Sequence, residues 1–329
     1  MGEAVLVGSS AVEKQLEQHR RDLTAYCYRM LGSPFEAEDA VQETMLRAWR
    51  GLDQFEGRAA LRSWLYRIAT NVCLDMVRGR AHRAMPMDLG PARTLDNVTM
   101  STLPEATWIQ PMPDSTVAAA ADPAELTVKH EAITLAFVTA LQHLPARQRA
   151  VLILCEVLRW RASEVAELLD TTAAAVNSAL QRARATLGSR GVSSDDPVPR
   201  LDETQRTLLA RYLKAFESYD FPTLTSLIRE DAIQSMPPYE MWLSGRDSIF
   251  AWWVGPGIGC RDSRLLPTVR ANGLAAFGQY KPDPSGGAGR TPWALQVLEL
   301  DERGIAQLNF FLDTERLFPL FGLPLRLDG

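Results

Sequence analysis

Apolar residues recur at helical spacing over residues 11–80 and again from about Ala124 to Leu187. The run from Trp64 to Arg80, WLYRIATNVCLDMVRGR, is the most informative of these. On a helix of about 3.6 residues per turn, Leu61, Leu65, Ile68, Val72 and Met76 form one stripe, widened by Tyr66, Cys73 and Val77. The opposite stripe carries Trp64, Arg67, Asn71, Asp75 and Arg78. Upstream, FEAEDAVQETMLRAWRGLDQF predicts a second helix. Ala40, Met45 and Leu46 are expected to face a core there, beside Val41 and Ala48. Its acids (Glu36, Glu38, Asp39, Glu43) come first, and Arg47 and Arg50 close it, which suits the helix dipole. In the later region ASEVAELLD predicts a short helix and DTT a turn in which Thr172 caps the next helix, AAAVNSALQRARATL. Val176, Leu180, Ala183 and Leu187 make its apolar stripe. Asn177, Ser178, Gln181, Arg182 and Arg184 are left facing outward.

Between the helical regions the character changes. Residues 81–125 contain Pro86, Pro91, Pro104, Pro111, Pro113 and Pro123 and few large apolar residues, which predicts a linker with no core of its own. Its acids are Asp88, Asp96, Glu105, Asp114, Asp122 and Glu125. A second break, GSRGVSSDDPVP, follows the second helical region. From Leu201 onward TQRTLLARYLKAFESYD and FPTLTSLIRED read as helices, then GLAAFGQY, WALQVLEL and GIAQLNFFLD as strands. Helices first and strands after predict an α+β domain. The expected divisions are 11–83, a linker over 84–125, 126–190, a linker over 191–203, and 204–329.

Charge sharpens this picture only when taken by segment. The whole chain carries a formal charge of -5, which argues against non-specific nucleic-acid binding. Yet Arg58 to Arg83 holds six arginines and one acid, Asp75, and no acid lies between Thr171 and Arg190. The basic flank of the first domain has two readings. It is a solvated face with Trp64 as a core anchor, or a surface whose guanidinium and indole groups meet phosphates and unpaired bases. The short helix, tight turn and Asn/Ser/Gln/Arg-faced helix form a helix-turn-helix arrangement, in which Gln and Asn suit adenine and Arg suits guanine or phosphate. Cys27, Cys73, Cys155 and Cys260 form no C-x-x-C motif and read as ordinary buried thiols. The N-terminus lacks a signal-like pattern, and no stretch approaches the roughly 20 apolar residues of a membrane span. A cytoplasmic protein needing neither metal nor cofactor is expected.

Together, AEDAVQETMLRAW and RSWLYRIATNVCLDMVR, then LPARQRAVLILCEV and SEVAELLDTTAAAVNSALQRARATL, resemble bacterial RNA polymerase sigma factors of the extracytoplasmic-function group. The resemblance covers about residues 15–85 and 130–188. It implies core RNA polymerase and promoter DNA as partners, with the clamp helices of beta-prime and the beta flap as docking points. Asp39, Gln42, Glu43 and Arg47 would hold the clamp helices. Arg58, Arg62, Trp64, Arg67, Asn71, Arg78 and Arg80 would melt and read the minus-ten element as single strand. Thr172, Asn177, Ser178, Gln181, Arg182 and Arg184 would read the minus-thirty-five element in the major groove. The acidic linker would thread the polymerase cleft. Ala179 stands where the family often has a bulky or basic residue, Trp160-Arg161 replaces smaller residues, and the linker is longer than usual. These departures bear on promoter sequence rather than on binding mode.

Residues 204–329 resemble the SnoaL-like, NTF2-like cone, through RYLKAFESYD, LIREDAIQSMPPYEMWLSGRDSI, ANGLAAFGQY and LELDERGIAQLNFFLD. The tail RLFPLFGLP resembles the subgroup of these sigma factors that carries such an extension. The expected fold is thus multidomain: two all-α domains, the second a helix-turn-helix, then an α+β NTF2-like cone. Tyr212, Phe216, Met236, Trp242, Trp252, Trp253 and Trp293 would line a pocket or simply fill a core, and any ligand is unknown. Enzymes of this fold use residues such as His or Asp, but all four histidines (His19, His82, His130, His143) lie outside the domain. Asp231 and Glu240 have no paired base in the sequence pattern. The extension therefore reads as regulatory, acting through contact with the sigma domains or polymerase. The alternatives are a cyclase- or isomerase-type enzyme fused to a DNA-targeting module, and a repressor-like DNA binder. The latter would have no use for the acidic AEDAVQET face.

Overall fold

The computed structural model describes residues 15–52, 61–117, 134–191, 201–284, 286–287 and 289–328. It separates into two compact units. The first, helical unit draws on 1–83, 109–112 and 116–198, and the second on 84–108, 113–115 and 199–329.

In the helical unit α1 (Arg20–Leu31) stops at Gly32, whose φ of 73° lets its N–H return to Tyr28 O at 2.8 Å. Ser33 then caps α2 (Pro34–Gly51): its hydroxyl accepts from Glu36 N at 3.4 Å, and Pro34 occupies the first helical position. α3 (Leu61–Val77) packs Leu65, Tyr66, Ala69, Val72 and Cys73 against Leu23, Tyr26 and Met30 of α1 and Ala37, Ala40 and Val41 of α2, all buried. Tyr66 and Cys73 are buried as expected, but the buried stripe is rotated, because Ala69 and Thr70 lie inside while Ile68, Met76 and Val77 are half-buried. Leu46, expected inside, is 48% exposed.

α4 (Leu135–Gln142) and α5 (Ala146–Leu152) follow in the same unit. α5 runs into a π-helical turn (Ile153–Val157), then come α6 (Ala162–Leu168) and α7 (Ala173–Gly188). The α4–α7 half packs on the α1–α3 half through a buried guanidinium. Arg149 donates to the carbonyls of Met30, Gln142 (3.0 Å) and Leu144 (3.2 Å), and burial pulls its pKa down to about 10. Gln142 Nε2 donates to Arg29 O at 3.2 Å across the same seam.

The Pro-rich stretch departs from its expected form as a coreless linker. Residues 109–112 are strapped into the helical unit, where Gln110 N donates to Gly32 O (3.0 Å), Tyr28 Oη to Gln110 O (3.0 Å) and Ser33 Oγ to Gln110 Oε1 (2.6 Å). Residues 84–108 belong to the second unit, with Ala84, Met85 and Trp108 buried. Their acids are in part committed there: Asp88 accepts from Met85 N, and Glu105 lies 3.6 Å from Arg316. Asp122 and Glu125 lie outside the described residues.

The second unit is the expected α+β cone. α8 (Glu203–Ser218) is capped by Asp202 in a box with Gln205, and α9 (Phe221–Leu227) by Asp220. A mixed sheet follows in the order β2-β1-β6-β5-β4-β3, with β1 (Ile228–Ser235), β2 (Trp242–Ser244), β3 (Arg264–Pro267), β4 (Ala275–Pro282), β5 (Arg290–Asp301) and β6 (Gly304–Phe311). Only the β1–β6 pairing is parallel among the described strands. α10 (Arg246–Val254) lies between β2 and β3, and α11 (Thr314–Leu320) closes the unit. Edge strand β2 is short and is covered by residue 93, whose N–H donates to Trp242 O at 2.8 Å, so the edge offers little to a foreign strand.

Candidate nucleic-acid interface

α7 takes its orientation from its apolar stripe. Val176, Leu180, Ala183 and Leu187 are buried, and full burial of side chains such as Val or Leu contributes about 1.5–3 kcal/mol each. Thr172 Oγ1 accepts from Ala175 N at 3.2 Å and fixes the helix start. The remaining face presents Asn177, Ser178, Gln181 and Arg182, all exposed. Arg184 is exposed too, but its guanidinium holds Glu156 through both Nε and Nη2. Its first commitment is to the domain that carries it.

The α3 flank is arranged differently. Arg62, Arg67, Asn71, Asp75 and Arg78 are exposed. Trp64 is half-buried, with its ring against the end of α2, where a Cβ on Gly51 would lie 3.2 Å from Trp64 Cζ2. Two of the arginines reach into the α4–α7 half. The Arg62 guanidinium lies 5.5 Å from the centre of the Trp160 ring and 5.6 Å from that of Tyr66, and those two rings are themselves 5.3 Å apart. Arg67 Nη2 donates to Glu167 O of α6 at 3.0 Å. Arg78 pairs with Asp75 at 2.9 Å and Arg80 with Glu36 at 2.8 Å. Arg58 lies outside the described residues. Trp160, which the sequence marks only as a departure from a family pattern, thus meets this flank together with Glu167.

On α2, Asp39 and Gln42 are exposed, Glu43 is half-buried, and Arg47 pairs with Glu43 at 2.6 Å. Leu46 and Trp49, 48% and 58% exposed, continue the same stripe one and two turns on. Sequence reasoning sent Leu46 inward and passed over Trp49. The spacing 39, 42, 46, 49 was the available signal.

The second unit's aromatics fill its interior. Tyr212, Phe216, Met236, Trp252 and Trp253 belong to one buried cluster, with Trp293 packed against it. The Phe216 and Trp253 rings meet edge-on at 5.2 Å. Trp242 is half-buried and its indole donates to Gly90 O at 2.8 Å, so it secures the 84–108 segment.

Residues 16–83 match the Sigma-70 region 2 family and residues 134–187 match Sigma-70, region 4. The chain is 43% identical to ECF RNA polymerase sigma factor SigG of Mycobacterium tuberculosis (strain ATCC 25618 / H37Rv) over 311 residues, covering 94% of this chain and 82% of the relative. The chain belongs to the ECF RNA polymerase sigma factors. A further relative is SigJ of the same strain, 31% identical over 218 residues, with 66% of this sigma factor and 62% of the relative covered. The crystal structure of SigJ shares the fold, with a TM-score of 0.59 at 20% identity over 95% of this chain and 99% of that one. In this sigma factor the region 2 match spans α1–α3 and the region 4 match α4–α7, while the similarity to SigG runs on through most of the chain. It is a promoter-directing sigma factor with an α+β C-terminal extension. Among the described residues no helix is long and apolar enough to cross a membrane.

Proposed function

We propose that this sigma factor docks on core RNA polymerase through the Asp39/Gln42/Glu43/Leu46/Trp49 stripe of α2 and reads promoter DNA with two faces. α7 enters the major groove at the minus-thirty-five element with Asn177, Ser178, Gln181 and Arg182. The α3 flank takes the opened minus-ten strand with Trp64, Arg67, Asn71 and its arginines. The exposed, acid-free face of a capped α7 carries this reading, because a buried stripe on one side and Asn/Ser/Gln/Arg on the other is what groove entry requires. The protein acts in the cytoplasm, where polymerase is.

The C-terminal unit tunes transcription rather than catalysing a reaction. Its interior is packed with rings, and the two acids the sequence offered are engaged: Arg229 holds Asp231, and Glu240 accepts from Ser101 Oγ at 2.8 Å. Neither stands beside a general base. Truncation after Arg200 removes the partners of Gly90, Arg93 and Ser101 along with the cone, so transcription output should change while duplex recognition by α7 persists.

The decisive experiment combines co-purification with core polymerase and run-off transcription. The wild type is expected to pass both, and Asp39→Lys with Glu43→Lys to lose the attachment while retaining binding to duplex DNA. Retained co-purification of the double variant would remove the docking assignment.

A further inference from the structure

The two arginines of α7 stand in opposite states. Arg182 is exposed and makes no ion pair among the described residues. Arg184 is exposed too, yet its Nε donates to Glu156 Oε1 at 3.0 Å and its Nη2 donates to the same oxygen. The other carboxylate oxygen lies 4.0 Å from Arg159 Nη1. α7 has no Asp or Glu of its own, so this carboxylate reaches it from another element.

That element is the π-helical turn Ile153–Val157. Leu158 N donates to Ile153 O, five residues back, at 3.0 Å, and Trp160 N donates to Leu154 O at 3.0 Å. Ile153, Leu154 and Val157 are buried and pin the turn to the core. The Glu156 side chain is 14% exposed against 61% for Arg184, so the acid is set in place and the arginine folds down onto it. Along α7, Arg184 follows Gln181 by three residues and Asn177 by seven, which puts it on their stripe. A guanidinium left free on that stripe would meet the DNA backbone. Such a contact adds affinity for every duplex alike and carries no sequence information.

We propose that Glu156 is a charge-restraining residue: by holding Arg184 it withholds one cation from phosphate and keeps the sequence-independent affinity of α7 low. Duplex binding then rests on Asn177, Ser178, Gln181 and Arg182, and the sigma factor is less retained on non-promoter DNA before it meets polymerase. This rests on the proposal that α7 reads the duplex. A pair with one exposed partner restrains by no more than about fivefold, which sets the scale of the effect.

The test measures binding of the full-length protein to a random-sequence duplex and to the promoter duplex of the run-off template, across salt, by fluorescence anisotropy. Glu156→Gln keeps the shape of the side chain and removes its charge. It should bind both duplexes roughly two- to fivefold more tightly at low salt. The slope of log affinity against log salt should steepen by about 0.9, the counterion release of one added phosphate contact. In an Arg184→Ala background the same substitution should leave affinity and slope unchanged. Arg184→Lys leaves Glu156 in place but gives up the two-nitrogen hold, so it should show part of the gain. It decides the matter if melting curves show that Glu156→Gln does not fold, and a wild-type slope then sinks the proposal. Arg182→Ala checks α7 itself and should weaken promoter binding. If it does so while Glu156→Gln binds and responds to salt like the wild type, Glu156 restrains nothing and α7 still reads the duplex. A gain that survives in the Arg184→Ala background belongs to Arg159 or to the lost carboxylate. Weaker binding by folded Glu156→Gln shows that the pair aims Arg184 at DNA. Either result overturns the proposal. If Arg182→Ala changes nothing, α7 is not the duplex-reading helix and the role of Glu156 falls with it.

Discussion

The two helices of the helical unit proposed to touch promoter DNA stand in opposite conditions. The α7 face offers Asn177, Ser178, Gln181 and Arg182 to solvent. On α3, by contrast, Arg62 is stacked on Trp160 and Arg67 is bonded to the Glu167 carbonyl, both in the other half of the same unit. A duplex-reading face needs nothing moved before it meets a groove. A face for unpaired bases, presented openly, would bind any single strand in the cell, since stacking and phosphate contacts carry little sequence information. If α3 takes the opened strand as proposed, its engagement by the α4–α7 half makes that activity conditional on freeing Arg62 and Arg67.

The largest expected effect lies on the α7 side. Arg182→Ala should weaken duplex binding by about 1–3 kcal/mol, roughly 5- to 150-fold. Arg184→Ala is the matched control. Its guanidinium is spent on Glu156, an ion pair with one partner 61% exposed, so its loss costs about 0–1 kcal/mol of stability and changes duplex affinity less. Titration of both variants against one promoter duplex, with melting curves alongside, separates the two roles. Equal losses of affinity would erase the distinction between the residues.

A smaller effect, of opposite sign, is expected on the α3 side. Trp160→Ala removes the ring on which Arg62 rests. Cation–π contacts of this kind contribute about 0.5–2 kcal/mol, so single-stranded minus-ten DNA should bind roughly 2- to 30-fold more tightly. Duplex binding by α7 should stay unchanged. Fluorescence anisotropy with a short single strand and a matched duplex reads both, and weaker single-strand binding by this variant would show that Trp160 helps the flank instead of restraining it.

The contrast between the two faces was half legible in the sequence. The α7 stripe could be placed because a solvated helix on a single partner layer keeps a strict period, and Val176, Leu180, Ala183 and Leu187 obey it. α3 is packed on two sides, by α1 and α2 and by the α4–α7 half, so its buried arc widens beyond the expected Tyr66 to Ala69 and Thr70, and the single-stripe reading is rotated. Trp160 was visible only as an oddity, because its partners Arg62 and Tyr66 lie far up the chain. Residues 84–112 were the least legible. Their regular structure is limited to two short turns, Pro86–Leu89 and Glu105–Thr107, and their contacts are remote: Gly90 meets Trp242 across 152 residues, and Gln110 meets Ser33 across 77. Proline content signals the lack of helix and strand, and it carries no information about whether an irregular segment is packed or free. The cone was legible as a class because helices followed by alternating strands constrain the layers. Its packed interior was not, because a pocket and a core draw on the same aromatic residues.

The smallest effect tests how close the start of α7 comes to phosphate. Thr172 sits on the proposed duplex-reading face, yet its hydroxyl oxygen is committed to Ala175 N. The O–H remains a donor, so the residue can cap the helix and meet a phosphate at once. Thr172→Ala loses both and should cost about 0.5–2 kcal/mol of stability. Thr172→Ser keeps both and should be nearly silent. Thr172→Asp separates the roles: a carboxylate is a good cap and is favoured at a helix N-terminus, so melting temperature holds or rises. The same charge placed beside the DNA backbone repels it, so duplex affinity falls, and falls most at low salt where screening is weakest. If Thr172→Asp melts like the wild type and binds duplex equally well at low salt, the N-terminus of α7 points away from the backbone. Arg182 would then reach DNA from a helix lying across the groove.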